Sequence, residues 1–306
     1  MSLLRPQAAA QPVLDVRNLS KWYGRTHALD ALSLTVEPGE VVGFVGPNGA
    51  GKSTTLRILM GLVAPSGGTA RILGRSALDG SPRVRSAVGY LPGSPALYPR
   101  LTSRECLNFL QRVRGVDCRA RVTELADRLE VDLDKHIHDL SRGNKQKTAF
   151  IAALMHSPRL LLLDEPTSGL DPLVQREVER VLREEAADGV GILLSSHVLS
   201  EVEALADRVV MLHQGRTLLS AAMADITGRL AQRLTFEFAG PAAASWFEGV
   251  RGVSSVEAHA RHIEVTVNGS QSAALDAAAK HGVIAVHSHE QRLEDVFTEL
   301  IPERAA

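Results

Sequence analysis

Residues 13–19 and 32–36 alternate apolar with polar side chains, the period of a half-buried strand. Between them Lys21-Trp22-Tyr23-Gly24 sets two adjacent aromatics before a glycine, and Glu37-Pro38-Gly39-Glu40 closes the second run with a Pro-Gly turn. The next run, Val41-Val42-Gly43-Phe44-Val45, is apolar throughout and reads as a buried strand. Leu56, Leu59, Met60 and Val63 then recur at helical spacing and give the following segment one buried face. Pro65-Ser66-Gly67-Gly68 reads as a turn, 69–73 as a strand, and 87–91 as another ended by Pro92-Gly93.

From 101 to 155 the period becomes helical. Thr102 or Ser103 can cap a helix carrying Leu107, Phe109, Leu110 and Val113, a second helix spans about 119–129, and a third begins at Ser141 and runs through Phe150, Ile151 and Leu154. Beyond it a buried strand (160–163), a helix (173–187), a strand (191–195), a helix (199–206) and a strand (208–212) follow in turn. That order predicts a mostly parallel sheet with helices on both faces. Near 221–232 the pattern changes. Leu234, Phe236 and Phe238 alternate, as do Ile263, Val265 and Val267; a helix is expected over 272–280, a strand over 283–286, and a last helix with Leu293, Val296, Phe297 and Leu300 on one face. The expected organisation is a loose tail over 1–12, an α/β domain over 13–220 with a helical subdomain at about 100–156, and a small α+β domain over 221–306.

Composition narrows what such a chain can do. Its 306 residues, 44% hydrophobic and 23% charged, are enough for a substantial core and more than one domain. A formal net charge of -1 offers no bulk basic surface to nucleic acid, and Arg142, Lys145 and Lys147 read as a solvated helix face. No run approaches the ~18–20 apolar residues that span a bilayer. Residues 1–12 carry one arginine and no sustained apolar core, which is a tail and not a secretory signal. Cys106 and Cys118 make no metal spacing and fit a reducing compartment. His259, His262, His281, His287 and His289 gather near the end; without a fixed ligand spacing they read as solvated surface.

The chemistry concentrates after the buried run ending at Val45. Gly46-Pro47-Asn48-Gly49-Ala50-Gly51-Lys52-Ser53, followed by Thr54 and the amphipathic segment, has the spacing of a P-loop. Glycines there let successive N–H groups turn inward around a phosphate, Lys52 adds a full charge, the helix start adds its dipole, and Ser53 offers a hydroxyl to Mg²⁺. Further on, Arg159-Leu160-Leu161-Leu162-Leu163-Asp164-Glu165 puts two carboxylates at the end of a buried strand, where open α/β sheets bind ligands. Taken alone the pair is equally an ordinary strand-end turn. With a P-loop upstream, Asp164 suits Mg²⁺ held through a water, and Glu165 suits polarisation of the water that attacks a γ-phosphate. Leu140-Ser141-Arg142-Gly143-Asn144 opens a predicted helix, with Ser141 a natural cap.

At this point the chain resembles the nucleotide-binding subunits of ATP-binding cassette (ABC) transporters. Residues 140–144 resemble that family's signature, 160–165 its Walker B, Thr167-Ser168-Gly169-Leu170-Asp171 its D-loop and His197 its switch histidine, and the likeness covers roughly 13–216. The resemblance implies a P-loop NTPase fold of the ABC type, ATP and Mg²⁺ as ligands, and two cassettes paired head to tail. Each ATP would lie between the P-loop of one copy (Gly46 to Thr54) and Ser141, Gly143, Asn144 and Asp171 of the other, with Glu165, His197 and Lys52 carrying hydrolysis. It also implies that Tyr23 stacks on adenine, with Trp22 as the rival ring. Two departures stand out: Gly93 where most members have glutamine, and Arg142 and Asn144 where Gly and Gln are commoner.

The implied partners are a separate transmembrane permease, docked on the helical region near Tyr90 and Tyr98, and a second copy or a homologous ATPase subunit. The implied place is the cytoplasmic face of the membrane, and nucleic acid is not expected. The single-cassette layout ending in Leu293-Glu294-Asp295-Val296-Phe297 resembles bacterial exporters of drugs or other lipophilic molecules. The rival reading is a soluble ABC ATPase acting on ribosomes or nucleic acid, although neither the second cassette nor the long coiled coil usual there is visible.

Overall fold

The computed structural model describes residues 11–229 and 232–289. The chain divides into two compact units, Met1–Ser220 and Ala221–Ala306. The expected tail over 1–12 lies almost wholly outside the described residues, and the helix expected around Leu293 to Leu300 lies entirely outside them.

The first unit begins with β1 (Leu14–Tyr23), β2 (Thr26–Val36), β3 (Val41–Val45), α1 (Lys52–Leu59), β4 (Gly67–Ile72), β5 (Arg75–Ser76), α2 (Pro82–Ser86) and β6 (Val88–Leu91). A helical stretch follows, with α3 (Ser103–Arg114), α4 (Arg119–Arg128) and α5 (Arg142–Leu154). The alternating part comprises β7 (Leu160–Asp164), α6 (Pro172–Ala187), β8 (Gly191–Ser196), α7 (Leu199–Leu205), β9 (Arg208–His213) and β10 (Arg216–Ala222).

One sheet, in the order β10-β9-β3-β8-β7-β6, carries the parallel pairs β9–β3, β3–β8, β8–β7 and β7–β6. The expectation of a mostly parallel sheet holds for this layer only. β1, β2, β4 and β5 form a second, antiparallel sheet in the order β2-β1-β4-β5. Its nucleus is a hairpin: β1 and β2 are joined through Gly24 and Arg25 alone, and strands joined by so short a turn can only run antiparallel. Both strands outrun their hydrophobic pattern, so Lys21, Trp22 and Tyr23 lie in the end of β1. Leu14, Val16, Leu19 and Leu32 of this layer join Leu56, Ile58 and Leu59 of α1 and Val42, Phe44, Leu162 and Leu193 of the parallel layer in one core. Thus α1 is anchored by both sheets.

In the helical stretch, Thr102 caps α3 by accepting from the Glu105 N–H, while Glu105 accepts from the Thr102 N–H, a reciprocal capping box. Arg128 of α4 pairs with Glu177 (2.7 Å) and Glu184 (2.5 Å) of α6, and Arg121 with Glu185. Cys106 and Cys118 are buried free thiols.

The second unit contains α8 (Met223–Arg229), β11 (Gln232–Phe238), β12 (Val253–His259), β13 (His262–Val267), α9 (Ser272–Lys280) and β14 (Val283–His289). Its antiparallel sheet has the order β12-β13-β11-β14. Phe236, Phe238, Ile263, Val265 and Val267 face Ala274, Ala277 and Ala278 of α9, with the Phe247 ring stacked on Phe236 at 5.1 Å. Among the described residues no group of His, Cys, Asp or Glu has a metal-binding arrangement; the His281 ring lies flat on Trp246 at 4.3 Å.

At the seam between α5 and β6, the His156 Nε2–H donates to the Val88 carbonyl at 3.1 Å while its Nδ1 is buried without a partner. Burial, helped by the nearby Arg114 cation, holds the imidazolium down at about 4 against an ordinary 6.5. Between those values the unfolded chain binds the proton and the folded chain does not, so folding stability is full above about pH 6.5 and declines as pH falls toward about 4. Urea midpoints are expected to fall between about pH 7 and pH 5 in the native chain and to fall less in His156→Gln, which keeps a donor for Val88 and loses the titration; equal declines would show that other groups carry the effect.

Candidate active site

The carboxyl ends of β3, β8 and β7 finish at one level, because Phe44 is in register with Ser195 and Ser195 with Asp164. The P-loop leaves β3 at Val45. Gly46 (φ 154°) and Gly51 (φ 110°) both lie where L side chains seldom sit, and a Cβ would come 2.3 Å from the Leu212 carbonyl oxygen at the first and 2.5 Å from the Ala28 carbonyl oxygen at the second. Neither can be anything but glycine without moving backbone. Gly51 is also the N-cap of α1 and supplies no side chain, which leaves the head of the helix open to an anion. Pro47, Asn48 and Gly49 are exposed at the loop tip, while Ala50 is buried.

The Lys52 ammonium lies against the loop, donating to the Gly46 carbonyl at 2.5 Å and to Pro47 at 3.2 Å. Desolvation lowers its pKa, partly offset by the nearby charges of Glu165 and Asp164. Phosphate oxygens offer that ammonium stronger, charged acceptors than these carbonyls. Ser53 and Thr54 follow, half-buried, at the start of α1.

The structure brings His197 to Glu165, next to Asp164 at the end of β7. Asp164 is buried, with Oδ1 accepting from the Ser195 hydroxyl at 2.5 Å. Glu165 carries its Oε1 2.9 Å from His197 Nδ1. Its backbone is left-handed, at φ 52°, uncommon for a residue with a long side chain. The Glu165 N–H donates to the Ser195 carbonyl, and its own carbonyl accepts from Gln146 Nε2 at 3.1 Å. For Mg²⁺ the donor set fits: the Ser53 hydroxyl makes no hydrogen bond among the described residues, Asp164 keeps one oxygen clear of Ser195, and both are the hard oxygens that ion takes.

The signature residues do not join this group within one chain. Ser141 caps α5, its hydroxyl accepting from the Asn144 N–H at 3.2 Å. Gly143 packs against the D-loop so closely that a Cβ would lie 2.8 Å from the Gly169 carbonyl oxygen, and Arg142 donates to the Ser168 hydroxyl at 3.2 Å. Asp171 spends its carboxylate as the cap of α6, accepting from the Leu173 and Val174 N–H groups at 3.1 Å; those bonds lower its pKa. None of these hydrogen bonds reaches the P-loop. Tyr23 and Trp22 are both exposed at the hairpin, Trp22 stacked on His27 at 5.4 Å and Tyr23 with the Lys21 ammonium 4.8 Å from its ring centre.

The family model described as "ABC transporter" matches residues 29–168. The bacitracin transport ATP-binding protein BcrA of Enterococcus faecalis is 30% identical over 296 residues, 94% of this chain and 96% of that one. The Nod factor export ATP-binding protein I of Paraburkholderia xenovorans is 38% identical, covering 71% of this chain and 72% of its own. This chain belongs to the ABC transporter ATP-binding proteins. Among solved structures, the bacterial ABC cassette MJ0796, a dimer, is 25% identical with a TM-score of 0.62 over 69% of this chain and 98% of that one. The same cassette in a post-hydrolysis state with ADP and Pi aligns with a TM-score of 0.61. As an ABC ATPase the chain binds and hydrolyses ATP, and ABC ATP-binding subunits work with a membrane permease.

Two polar residues that shape the ABC site escaped the sequence reading. Ser195 holds Asp164 and Gln146 holds the Glu165 carbonyl; Ser195 is a polar residue ending an apolar run, whereas Gln146 stands among the polar residues 144–148 and no local signal marks it. Gly93 also acquires a meaning, since a Cβ there would stand 3.3 Å from Asp164 Oδ2. A side chain at this position therefore begins beside the carboxylate oxygen that Ser195 leaves free. Gly93→Gln adds an amide oxygen at that place and is expected to lower the Mg²⁺ concentration for half-maximal ATP turnover by about tenfold, the scale of changes beside a ligating carboxylate. A Mg²⁺ titration of phosphate release checks this, and an unchanged curve would place residue 93 outside the metal's surroundings.

Proposed function

We propose that this ABC ATPase is the motor subunit of an exporter, that two copies close on ATP, and that each ATP is held between the P-loop of one copy and the signature of the other. The observation that carries the reading is the Glu165–His197 pair, 2.9 Å apart at the strand edge whose neighbouring loop holds Lys52. In that arrangement Lys52 and the N–H groups from Gly46 to Thr54 bind the phosphates, Glu165 accepts a proton from the attacking water, and His197 holds Glu165 and meets the γ-phosphate. Ser53 and Asp164 are the residues that would hold Mg²⁺, which would supply neutralisation of phosphate charge.

The second half of the site follows from what the chain keeps separate. At the start of α5 the exposed Ser141, the Gly143 N–H and the positive end of the helix dipole lie together, with no acidic side chain in the first turn. Asn144 completes that face, the Asp171 carboxylate stays on the N–H groups of α6, and Tyr23 takes the adenine. Two nucleotides so bridged must favour the closed pair by about 5.5 kcal/mol to move it from one part in a hundred to near completion. Loss of the γ-phosphate removes the bridge.

The permease docks on α3. Tyr98 and Phe109 meet edge to face at 5.2 Å, and Phe109, Val113 and Val116 are exposed on and just beyond that helix. Among the described residues no helix is long and apolar enough to cross a membrane; the relatives named for transport and export support a place at the cytoplasmic face, held there through the permease. The cargo is a drug or another lipophilic molecule moved outward, a reading supported by relatives named for bacitracin transport and Nod factor export.

The motor reading is tested with Glu165→Gln, which should bind ATP, run as a dimer in size-exclusion chromatography with ATP, and turn over about a hundredfold or more slower than the native chain. Lys52→Ala should give neither the dimer nor turnover; a monomeric Glu165→Gln at saturating ATP would overturn the shared site. For the docking surface, Phe109→Ser combined with Val113→Ser is expected to leave ATP affinity unchanged while the co-expressed permease is no longer retained in detergent; full retention would move the contact elsewhere.

A further inference from the structure

Glu165 is held in its left-handed conformation from both sides. On one side its N–H donates to the Ser195 carbonyl at 3.0 Å. On the other, the amide nitrogen of Gln146 lies 3.1 Å from the Glu165 carbonyl oxygen and 3.4 Å from that of Pro166, one donor bridging two successive carbonyls. Gln146 is almost wholly buried and sits in α5, on the helix whose first turn carries Ser141 and Gly143. A carbonyl accepts and cannot donate, so only a donor side chain can serve here; an ionised carboxylate would repel both oxygens, and an apolar one would leave both unpaired.

We propose that Gln146 is a positioning residue for the attack step: its amide clamps the turn after Glu165 so that the carboxylate stays against His197, and it makes this turn move with the signature helix. The clamp works inside one chain. A nucleotide that displaces α5 at Ser141 therefore displaces the base of the other site through a single side chain, and this coupling needs two discrete positions of α5 and nothing else. The inference rests on the reading of Glu165 as the base that accepts the water's proton.

The test is a double-mutant cycle on single-turnover phosphate release, with ATP affinity measured separately by a fluorescent ATP analogue. Gln146→Met keeps the length and loses the donor. It should slow release at saturating ATP by about tenfold or more, with affinity within about twofold, and the double variant with Glu165→Gln should be no slower than Glu165→Gln alone, because residues acting through one another do not add. Gln146→Lys, which restores a donor of similar reach, should recover most of the rate and decides the matter if Gln146→Met does not fold. An unchanged rate in Gln146→Met, losses that multiply in the double variant, or a Gln146→Lys variant as slow as Gln146→Met would each overturn the proposal. Near-native turnover in Glu165→Gln alone would instead overturn the role of Glu165, a result read from a different corner of the cycle.

Discussion

The site depends on the register of three parallel strands. β3 and β7 both pair with β8, and the alignment of Phe44, Ser195 and Asp164 brings the P-loop, the two carboxylates and His197 to one edge. A strand shifted by one residue would turn Asp164 to the opposite face and carry its side chain away from Ser195. The register is secured by burial: all five residues of β7 and all six of β8 are inaccessible, so a slip would drive Asp164 and Ser195 into the apolar layer and lift leucines out of it.

Around that edge the backbone is shaped by close approach more than by side-chain packing. Gly46 and Gly51 pass carbonyl oxygens at distances no Cβ tolerates, and Glu165 accepts an unfavourable φ because Ser195 and Gln146 hold its peptide groups. Strain retained at a reactive residue is common where the surroundings over-determine it. Lys52 illustrates the electrostatic side of the same economy. Burial weakens its hold on a proton, and the carboxylates of Glu165 and Asp164 offset part of that effect.

The helical stretch is joined to this centre at two places. Gln146 links α5 to the turn after Glu165, and Arg128 and Arg121 link α4 to α6, whose cap is Asp171 of the D-loop. The signature helix, the D-loop and the base thus share contacts within one chain while the P-loop makes no hydrogen bond to the signature residues. This division fits the proposed sharing of each nucleotide between two copies.

What could be read from the sequence was what neighbouring residues decide among themselves. The P-loop is a strand, a glycine turn and a helix in succession; Thr102, Ser141 and Asp171 cap helices through N–H groups two or three residues away; and the signature and D-loop stand as short continuous runs. The antiparallel sheet, the hold of Ser195 on Asp164, the clamp of Gln146 and the left-handed turn at Glu165 were decided by the tertiary structure. The side-chain contacts among them join residues well apart in the chain, 31 positions for Ser195 and Asp164 and 19 for Gln146 and Glu165. Hydrophobic periodicity records which face of an element is buried and is silent on which element it meets there, so contacts of this kind appear only when the chain has folded.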